Sequence, residues 1–162
     1  MILSSIISDG MVLQRNAKVN IGGKTGLSQA VKISFLDKVY ETKSDSNGEW
    51  NIVLDDLEPG GPFQMVIYAA EEETVIADIL IGDVWVLGGQ SNMELPVRRT
   101  LDLFANEIKS VNMPFIRQFS VPQHQNFHAP QQQLSGGKWL AASPSDILSF
   151  SAAGFFFRKG II

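Results

Sequence analysis

The first half of this 162-residue sequence consists of short apolar runs separated by turn-forming residues. The runs partly alternate apolar with polar side chains, a pattern typical of strands that bury one face. The intervening Gly22-Gly23, Asp45–Gly48 and Pro59–Pro62 favour turns. Several short strands at this spacing predict an antiparallel, β-sandwich-like domain over residues 1–78 that is nearly free of helix. The predicted strands are Val19–Ile21, Val31–Phe35, Val39–Thr42, Trp50–Leu54 and Phe63–Tyr68.

From about Ile79 the pattern changes to longer elements of mixed type. It predicts a strand over Ile79–Leu87, a helix over 100–111 and a strand over 115–121. A glutamine-rich loop over 122–138 then leads to a last helix that begins near residue 145 or 149. This order is the start of an α/β domain over residues 79–162. The domain is predicted to be incomplete, because a parallel sheet needs helices on both faces.

The most specific segment is Ile81–Pro96, in which an apolar run meets two glycines and then Ser91. This layout predicts that Ser91 lies at the carboxyl end of a buried strand and at the start of a turn or helix. In open α/β sheets the reacting groups lie in the crevice at that edge. A serine there can act as a nucleophile if a base lies nearby and amides face the developing oxyanion. By position alone, however, such a serine is more often a helix cap or a turn former.

The residues around Ser91 resemble a known family. Gly82-Asp-Val-Trp85 followed by Gly89-Gln-Ser-Asn-Met93 is similar to the nucleophile segment of sialate O-acetylesterases and related carbohydrate esterases of the SGNH hydrolase superfamily. Leu87 and Gly88 replace a Cys-Ser pair that is frequent in that family. The resemblance runs through nearly the whole chain, but it covers only the first part of a much longer enzyme. The other similar segments are Ser8–Arg15, Asn47–Trp50, Gly60–Pro62 and Phe150–Phe157.

This resemblance implies a serine esterase that removes O-acetyl groups from sialic acid or related sugars, without a metal or organic cofactor. Ser91 would attack the acetyl carbonyl, and its own backbone amide would donate to the oxyanion. Gly89, Gln90 and Asn92 would support the turn and the oxyanion site. The resemblance also implies that residues 79–162 open an SGNH-type, flavodoxin-like α/β domain.

His124 and His128 are the two histidines of the sequence, and a serine nucleophile needs a general base. The family takes its base from an Asp-x-x-His motif near the C-terminus, whereas Val121 and Gln125 stand three residues before these histidines. We therefore expect both histidines to lie in a surface loop or at the rim of a substrate site. The motif and the family's further oxyanion donors, a glycine and an asparagine, have no counterpart here. The isolated chain is thus predicted to be inactive.

Composition narrows the choice of partners. The net charge of −4 gives no electrostatic basis for binding nucleic acid or an anionic membrane, and the absence of cysteine excludes disulfides and Cys-based metal sites. No apolar run is long enough for a transmembrane helix. The first residues lack a basic leader and a cleavage site, which favours a cytoplasmic protein unless a leader has been removed. The unfinished sheet should leave an unpaired strand edge and the apolar Phe155–Phe157 exposed, and such surfaces predict a homo-oligomer.

Two other interpretations stay open at this point. The chain could be a non-catalytic carbohydrate-binding or interaction module, or it could be a piece left by a truncated gene or a trimmed product. Trp50 and Trp139 could stack on sugar rings, although packing in a core is the usual role of tryptophan and is expected of Trp85. Arg98 and Arg99, close to Glu94, could line a sugar pocket, but a solvated start of a helix is the simpler expectation.

Overall fold

The computed structural model describes residues 1–122, 134 and 136–159. Within these residues the chain forms two compact units. One unit comprises Met1–Val84 with the described part of 119–139, and the other comprises Trp85–Gln118 with the described part of 140–162. This grouping does not test the predicted division into domains at residue 78, which stays a prediction.

The first unit contains eight strands, namely β1 (Ile2–Leu3), β2 (Val12–Gln14), β3 (Val19–Lys24), β4 (Ala30–Phe35), β5 (Lys38–Lys43), β6 (Glu49–Leu54), β7 (Gly60–Ala69) and β8 (Glu72–Gly82). They form one sheet in the order β1-β3-β6 and a second in the order β2-β8-β7-β4-β5. Neighbouring strands are antiparallel, except that β2 runs parallel to β8. Residues 1–82 contain no helix, which confirms that this region is strand-rich and free of helix.

Several strands of the first unit alternate buried and exposed residues, as strands with one face on a core do. In β4, Val31, Ile33 and Phe35 are buried, whereas Lys32 is exposed. Strand β6 repeats this alternation over its whole length. Both sheets contribute to one buried cluster, which includes Ile21, Trp50, Ile52 and Leu54 from the first sheet and Val31, Ile33, Met65, Ile67 and Ile79 from the second.

Two of the predicted turns lie inside strands instead. Gly22 and Gly23 belong to β3, where a side chain at Gly23 would meet the carbonyl oxygen of Ile2 on β1 at 2.5 Å. Glycine at this position therefore allows the close approach of two strands, a role that the sequence alone does not separate from a turn. Gly60 and Pro62 likewise lie at the start of β7, where the pairing with β8 is irregular.

The prediction of a strand over Ile79–Leu87 is wrong in its second half, because β8 ends at Gly82. Leu80–Gly82 pair with β2, and Ile81 also pairs with Gly60 of β7. A strand persists only where a neighbour satisfies its backbone groups. Among the described residues, no strand pairs with 83–90, so the extended ladder stops before Ser91.

The second unit contains helices α1 (Ser91–Glu94), α2 (Leu101–Lys109) and α3 (Ala152–Lys159), 3-10 turns at Val97–Thr100 and Ile147–Ser149, and most of strands β9 (Met113–Phe119) and β10 (Trp139–Ala142). Strands β9 and β10 pair with each other. The helix predicted over 100–111 and the strand predicted over 115–121 are present, shifted by one or two residues at their ends. The last helix begins later than predicted, because Phe150 is extended and its carbonyl accepts the N–H of Val97 at 2.9 Å.

The apolar face of the last helix is more buried than the sequence suggests. Phe155 is 2% exposed and packs in a cluster with Val97, Ile108 and Phe150. The prediction that Phe155–Phe157 are exposed together is therefore wrong, and of these three side chains Phe157 is the exposed one, at 45%. The covering residues come from distant parts of the sequence, which a local pattern does not reveal.

Asp45 holds the turn between β5 and β6. Its carboxylate oxygen accepts the backbone N–H groups of Asn47 at 2.7 Å and Glu49 at 2.9 Å, and Gly48 completes the turn with a φ of 75°. These two hydrogen bonds stabilise the charged form and lower the pKa of Asp45 below its ordinary value of 3.8. The turn therefore depends on an ionised side chain.

Replacing Asp45 with alanine should lower the thermal midpoint at neutral pH, whereas Asp45→Asn, which keeps an acceptor oxygen, should lower it less. Because the folded-state pKa is depressed, the contribution of the carboxylate is present above the unfolded-state pKa and is lost as the pH falls through the folded-state pKa. The difference in thermal midpoint between the unaltered protein and the Asp45→Ala variant should therefore become smaller in acid. Circular dichroism melts measured at about pH 7 and about pH 2 test this, with Ser46→Ala as the control in the same turn. An equal deficit at both pH values would contradict it.

Candidate active site

Ser91 is the first residue of helix α1, and its side chain is exposed. The prediction that it lies at the start of a turn or helix is confirmed, whereas its placement directly after a strand is wrong. Residues 83–90 separate it from the end of β8 and are themselves exposed. Val86 is 93% exposed and Trp85 is 57% exposed. Ser91 thus follows an uncovered apolar segment rather than a buried strand.

The backbone around Ser91 forms a tight helical turn. The carbonyl of Gln90 accepts the N–H groups of Met93 at 2.9 Å and Glu94 at 3.2 Å, and the carbonyl of Ser91 accepts the N–H of Leu95 at 3.0 Å. Gln90 precedes the helix with φ −119° and ψ −130°, and its side chain does not cap the helix. Gln90 therefore supports the turn through its backbone.

Glycine at position 89 permits a close contact within this turn. A side chain there would meet the Cγ atom of Met93 at 2.7 Å, whereas a side chain at Gly88 would point into open space. The exposed Asn92 lies in the first turn of α1. Gly89, Gln90 and Asn92 thus flank Ser91 directly, as the sequence requires, and their roles in an oxyanion site stay a prediction.

The amides at the head of α1 are available to an acceptor. None of the described residues accepts a hydrogen bond from the backbone N–H groups of Ser91 and Asn92, as is usual in the first turn of a helix. If the hydroxyl of Ser91 attacked an acyl carbonyl, the negative charge would develop on the carbonyl oxygen of the substrate, and amide donors next to that oxygen would stabilise it. Chemically, the turn can present a nucleophile and one or two amides.

The described residues include no histidine, so none of them can supply an imidazole as the general base for Ser91. His124 and His128 lie outside the described residues, so their predicted position in a surface loop stays untested. The side-chain hydroxyl of Ser91 has no hydrogen-bond partner among the described residues. Among the described residues, the arrangement therefore offers an exposed serine hydroxyl without a side-chain partner that would activate it.

Residues from the start of the chain hold the segment that leads to Ser91. The side-chain oxygen of Gln14 accepts the N–H of Val84 at 2.8 Å, and the N–H of Arg15 donates to the carbonyl of Gly82 at 2.9 Å. The guanidinium of Arg15 also contacts Asp83 at 2.8 Å, and this carboxylate raises the pKa of Arg15. Gln14 and Arg15 end the Ser8–Arg15 segment, so this segment has a local structural role that the sequence alone does not reveal.

The three tryptophans lie in different environments. Trp50 is buried in the first unit, and Trp139 donates its indole N–H to the carbonyl of Ile6 at 2.8 Å and packs against Phe119. These contacts favour a packing role for both. The expectation that Trp85 is a core residue is wrong, because it is exposed and touches Phe157 edge-on, with ring centroids 5.2 Å apart.

Arg98 and Arg99 lie exposed on the 3-10 turn Val97–Thr100, in keeping with a solvated start of a helix. No group of three or more metal-binding side chains occurs among the described residues. The described residues also contain no helix that is long and apolar enough to cross a membrane.

The sequence of the chain is similar to those of named esterases, although no protein-family model matches it. It is 32% identical over 130 residues to sialate O-acetylesterase of Rattus norvegicus, an alignment that covers 73% of this chain and 24% of that protein. It is 34% identical over 106 residues to sialate O-acetylesterase of Homo sapiens, which covers 58% of this chain and 20% of that protein. The chain therefore spans a quarter or less of the length of these relatives.

A solved structure also matches. The chain is similar to a carbohydrate acetylesterase from Xanthomonas citri, with a TM-score of 0.93 and 35% identity. The match covers 98% of this chain and 36% of that chain. The sequence and the backbone of the chain thus each correspond to one part of these longer relatives.

Proposed function

Because this chain belongs to the sialate O-acetylesterase family, of which it matches the N-terminal region, we propose that it carries the nucleophile of a serine esterase that removes O-acetyl groups from sialic acid or a related sugar. The observation that carries this proposal is the placement of Ser91. Its exposed hydroxyl begins α1, beside backbone amides without an acceptor among the described residues, inside the segment that resembles the family's nucleophile motif.

The proposed reaction is acyl transfer in two steps. The hydroxyl oxygen of Ser91 attacks the acetyl carbonyl while a base takes its proton, and the sugar hydroxyl leaves with a proton returned by that base. Water then hydrolyses the acetyl-serine and releases acetate. The backbone N–H of Ser91 stabilises the negative oxygen in both steps, and the base comes from residues outside the described structure.

The second unit would then be the opening of an SGNH-type α/β domain. The apolar segment Val84–Leu87 supports this interpretation, since it is rich in strand-forming residues and yet exposed. Such a segment can become a buried strand when a further strand pairs beside it and helices cover its faces. Pairing of two copies of the chain through the same segment is the competing use of that surface, and the predicted homo-oligomer stays a prediction.

The experiment is to read the gene beyond the codon for residue 162 and to express the whole open reading frame. We expect an in-frame continuation that encodes an Asp-x-x-His motif, because the relatives are about three to five times longer than the matched region. The purified full-length product should release acetate from O-acetylated sialic acid. Acetylated xylose and acetylated glucose, assayed in parallel, establish which sugar is preferred.

Two results would count against the proposal. A reading frame that ends without the motif would remove the base and would favour the non-catalytic interpretation. A full-length product that binds acetylated sugars in calorimetry without releasing acetate would favour a carbohydrate-binding module.

A further inference from the structure

Helix α3 lies directly against the segment that leads to Ser91. A side chain at Gly154 of this helix would overlap the Cδ1 atom of Leu87, and the next nearest atoms, both of Ser151, lie at 3.6 and 3.7 Å. The room that a larger residue would occupy at position 154 is therefore filled by the tip of Leu87. Leu87 is itself 43% exposed, so the contact with Gly154 involves the tip of its side chain.

The first residue of the same helix and the residue before it also hold the chain on the other side of Ser91. The carbonyl of Leu95 accepts the N–H of Ala152 at 2.8 Å, and Pro96 forms a β-bridge with Ser151. Ser91 thus lies between two attachments to α3, one through Leu87 and one through Leu95. The two attachments define the path of the turn from both ends.

The attachment through Leu87 matters because the backbone before Ser91 has no ladder to hold it. Residues 83–90 pair with no strand among the described residues, and Gly88 has open space around it. Gln14 and Arg15 hold the start of this segment, up to Val84, and beyond it the side-chain contacts with α3 help to place the residues before Ser91. Trp85 adds one such contact with Phe157, but Leu87 is closer to Ser91 in the chain.

We propose that Gly154 is a positioning residue for Ser91, because its missing side chain admits Leu87 and so sets the turn that presents the serine hydroxyl. This inference rests on the proposed function, in which Ser91 is the nucleophile. A methyl group at position 154 displaces Leu87 and, through Gly88 and Gly89, shifts the head of α1. Removing the tip of Leu87 restores the room.

The first test is a double-mutant cycle in the 162-residue chain that carries Ser91→Cys. The sequence has no cysteine, so the introduced thiol reacts alone with iodoacetamide, and the pH dependence of the rate reports its pKa and its exposure. Gly154→Ala should lower the alkylation rate several-fold and move the pH profile upward, because the thiolate loses the amides at the head of α1. In the Leu87→Ala background, the Gly154→Ala change should have no further effect.

A purely structural role gives a different result. Glycine in a helix is unfavourable relative to alanine, so Gly154→Ala alone would raise the thermal midpoint without altering the thiol profile. An unchanged profile overturns the proposal, and so does a change that persists undiminished in the Leu87→Ala background. These readouts do not need esterase activity, so they decide the positioning role even if Ser91 is not a nucleophile.

In the full-length product, Gly154→Ala should lower kcat by about tenfold to a hundredfold with little change in KM, since a small misplacement of a reacting group affects the chemical step most. Leu87→Ala should remove most of this difference. A rise in KM at unchanged kcat would overturn the proposal. The absence of any Ser91-dependent turnover would instead refute the proposed function. The double-mutant cycle on the Ser91→Cys thiol would still decide whether Gly154 positions residue 91.

Discussion

Replacing Ser91 with alanine should lower acetate release by the full-length product by about a thousandfold or more, as loss of a nucleophile typically does. In the proposed reaction the hydroxyl oxygen of Ser91 forms the covalent bond, and no other residue of α1 carries a hydroxyl. Binding of the sugar should change little, because the exposed serine side chain makes no hydrogen bond among the described residues. Initial rates with O-acetylated sialic acid, combined with calorimetric binding, test both parts.

The matched control is Ser46→Ala, an exposed serine in the turn between β5 and β6 of the first unit. It removes the same atoms and should leave turnover near that of the unaltered protein. Near-normal hydrolysis by the Ser91→Ala variant would rule out the assigned role. A loss of activity together with a lowered thermal midpoint would mean that the substitution had damaged the fold, and Ser91→Cys would then be compared.

The 162-residue chain by itself should release acetate no faster than its own Ser91→Ala variant. A serine hydroxyl is a weak nucleophile at neutral pH and needs a positioned base. The described residues contain no histidine, and neither His124 nor His128 follows an aspartate by three residues. The loss of even one oxyanion donor typically costs about a hundredfold or more in rate, and the turn at Ser91 offers few such donors.

This expectation is checked with purified chain at high concentration and a sensitive acetate assay. Turnover that requires Ser91 and disappears in His124→Ala or His128→Ala would overturn it, and would identify a histidine of that segment as the base. Turnover that survives Ser91→Ala would indicate a contaminating esterase.

The sequence predicted well where the chemistry is local. Alternation of apolar and polar residues identified strands β4 to β7 to within a few residues, because the side-chain period of a strand is visible in any single run. The turn at Asp45–Gly48 was also predicted from its local residues. The same local reading failed at Gly22-Gly23, since glycine serves both in turns and where two backbones approach closely.

The candidate site likewise has features that the sequence predicted and features that it did not. The order of Gly89, Gln90, Ser91 and Asn92 along the chain is a property of the sequence, and it was enough to predict that Ser91 lies at the start of a turn or helix. The contact between Leu87 and Gly154 joins residues far apart in the chain, so no local pattern could have indicated it. The roles of Gln14 and Arg15 in holding Gly82–Val84 were hidden for the same reason.

By itself, then, the sequence determined a strand-rich first part, a turn or helix that begins at Ser91 and the resemblance on which the esterase proposal rests. The tertiary structure decided where β8 ends, which phenylalanines are covered and which residues hold the serine turn. The physical reason is that strand pairing and burial depend on neighbours brought together from distant parts of the chain. Val84–Leu87 has the composition of a strand, but such a segment forms a strand only where another backbone lies alongside and pairs with it.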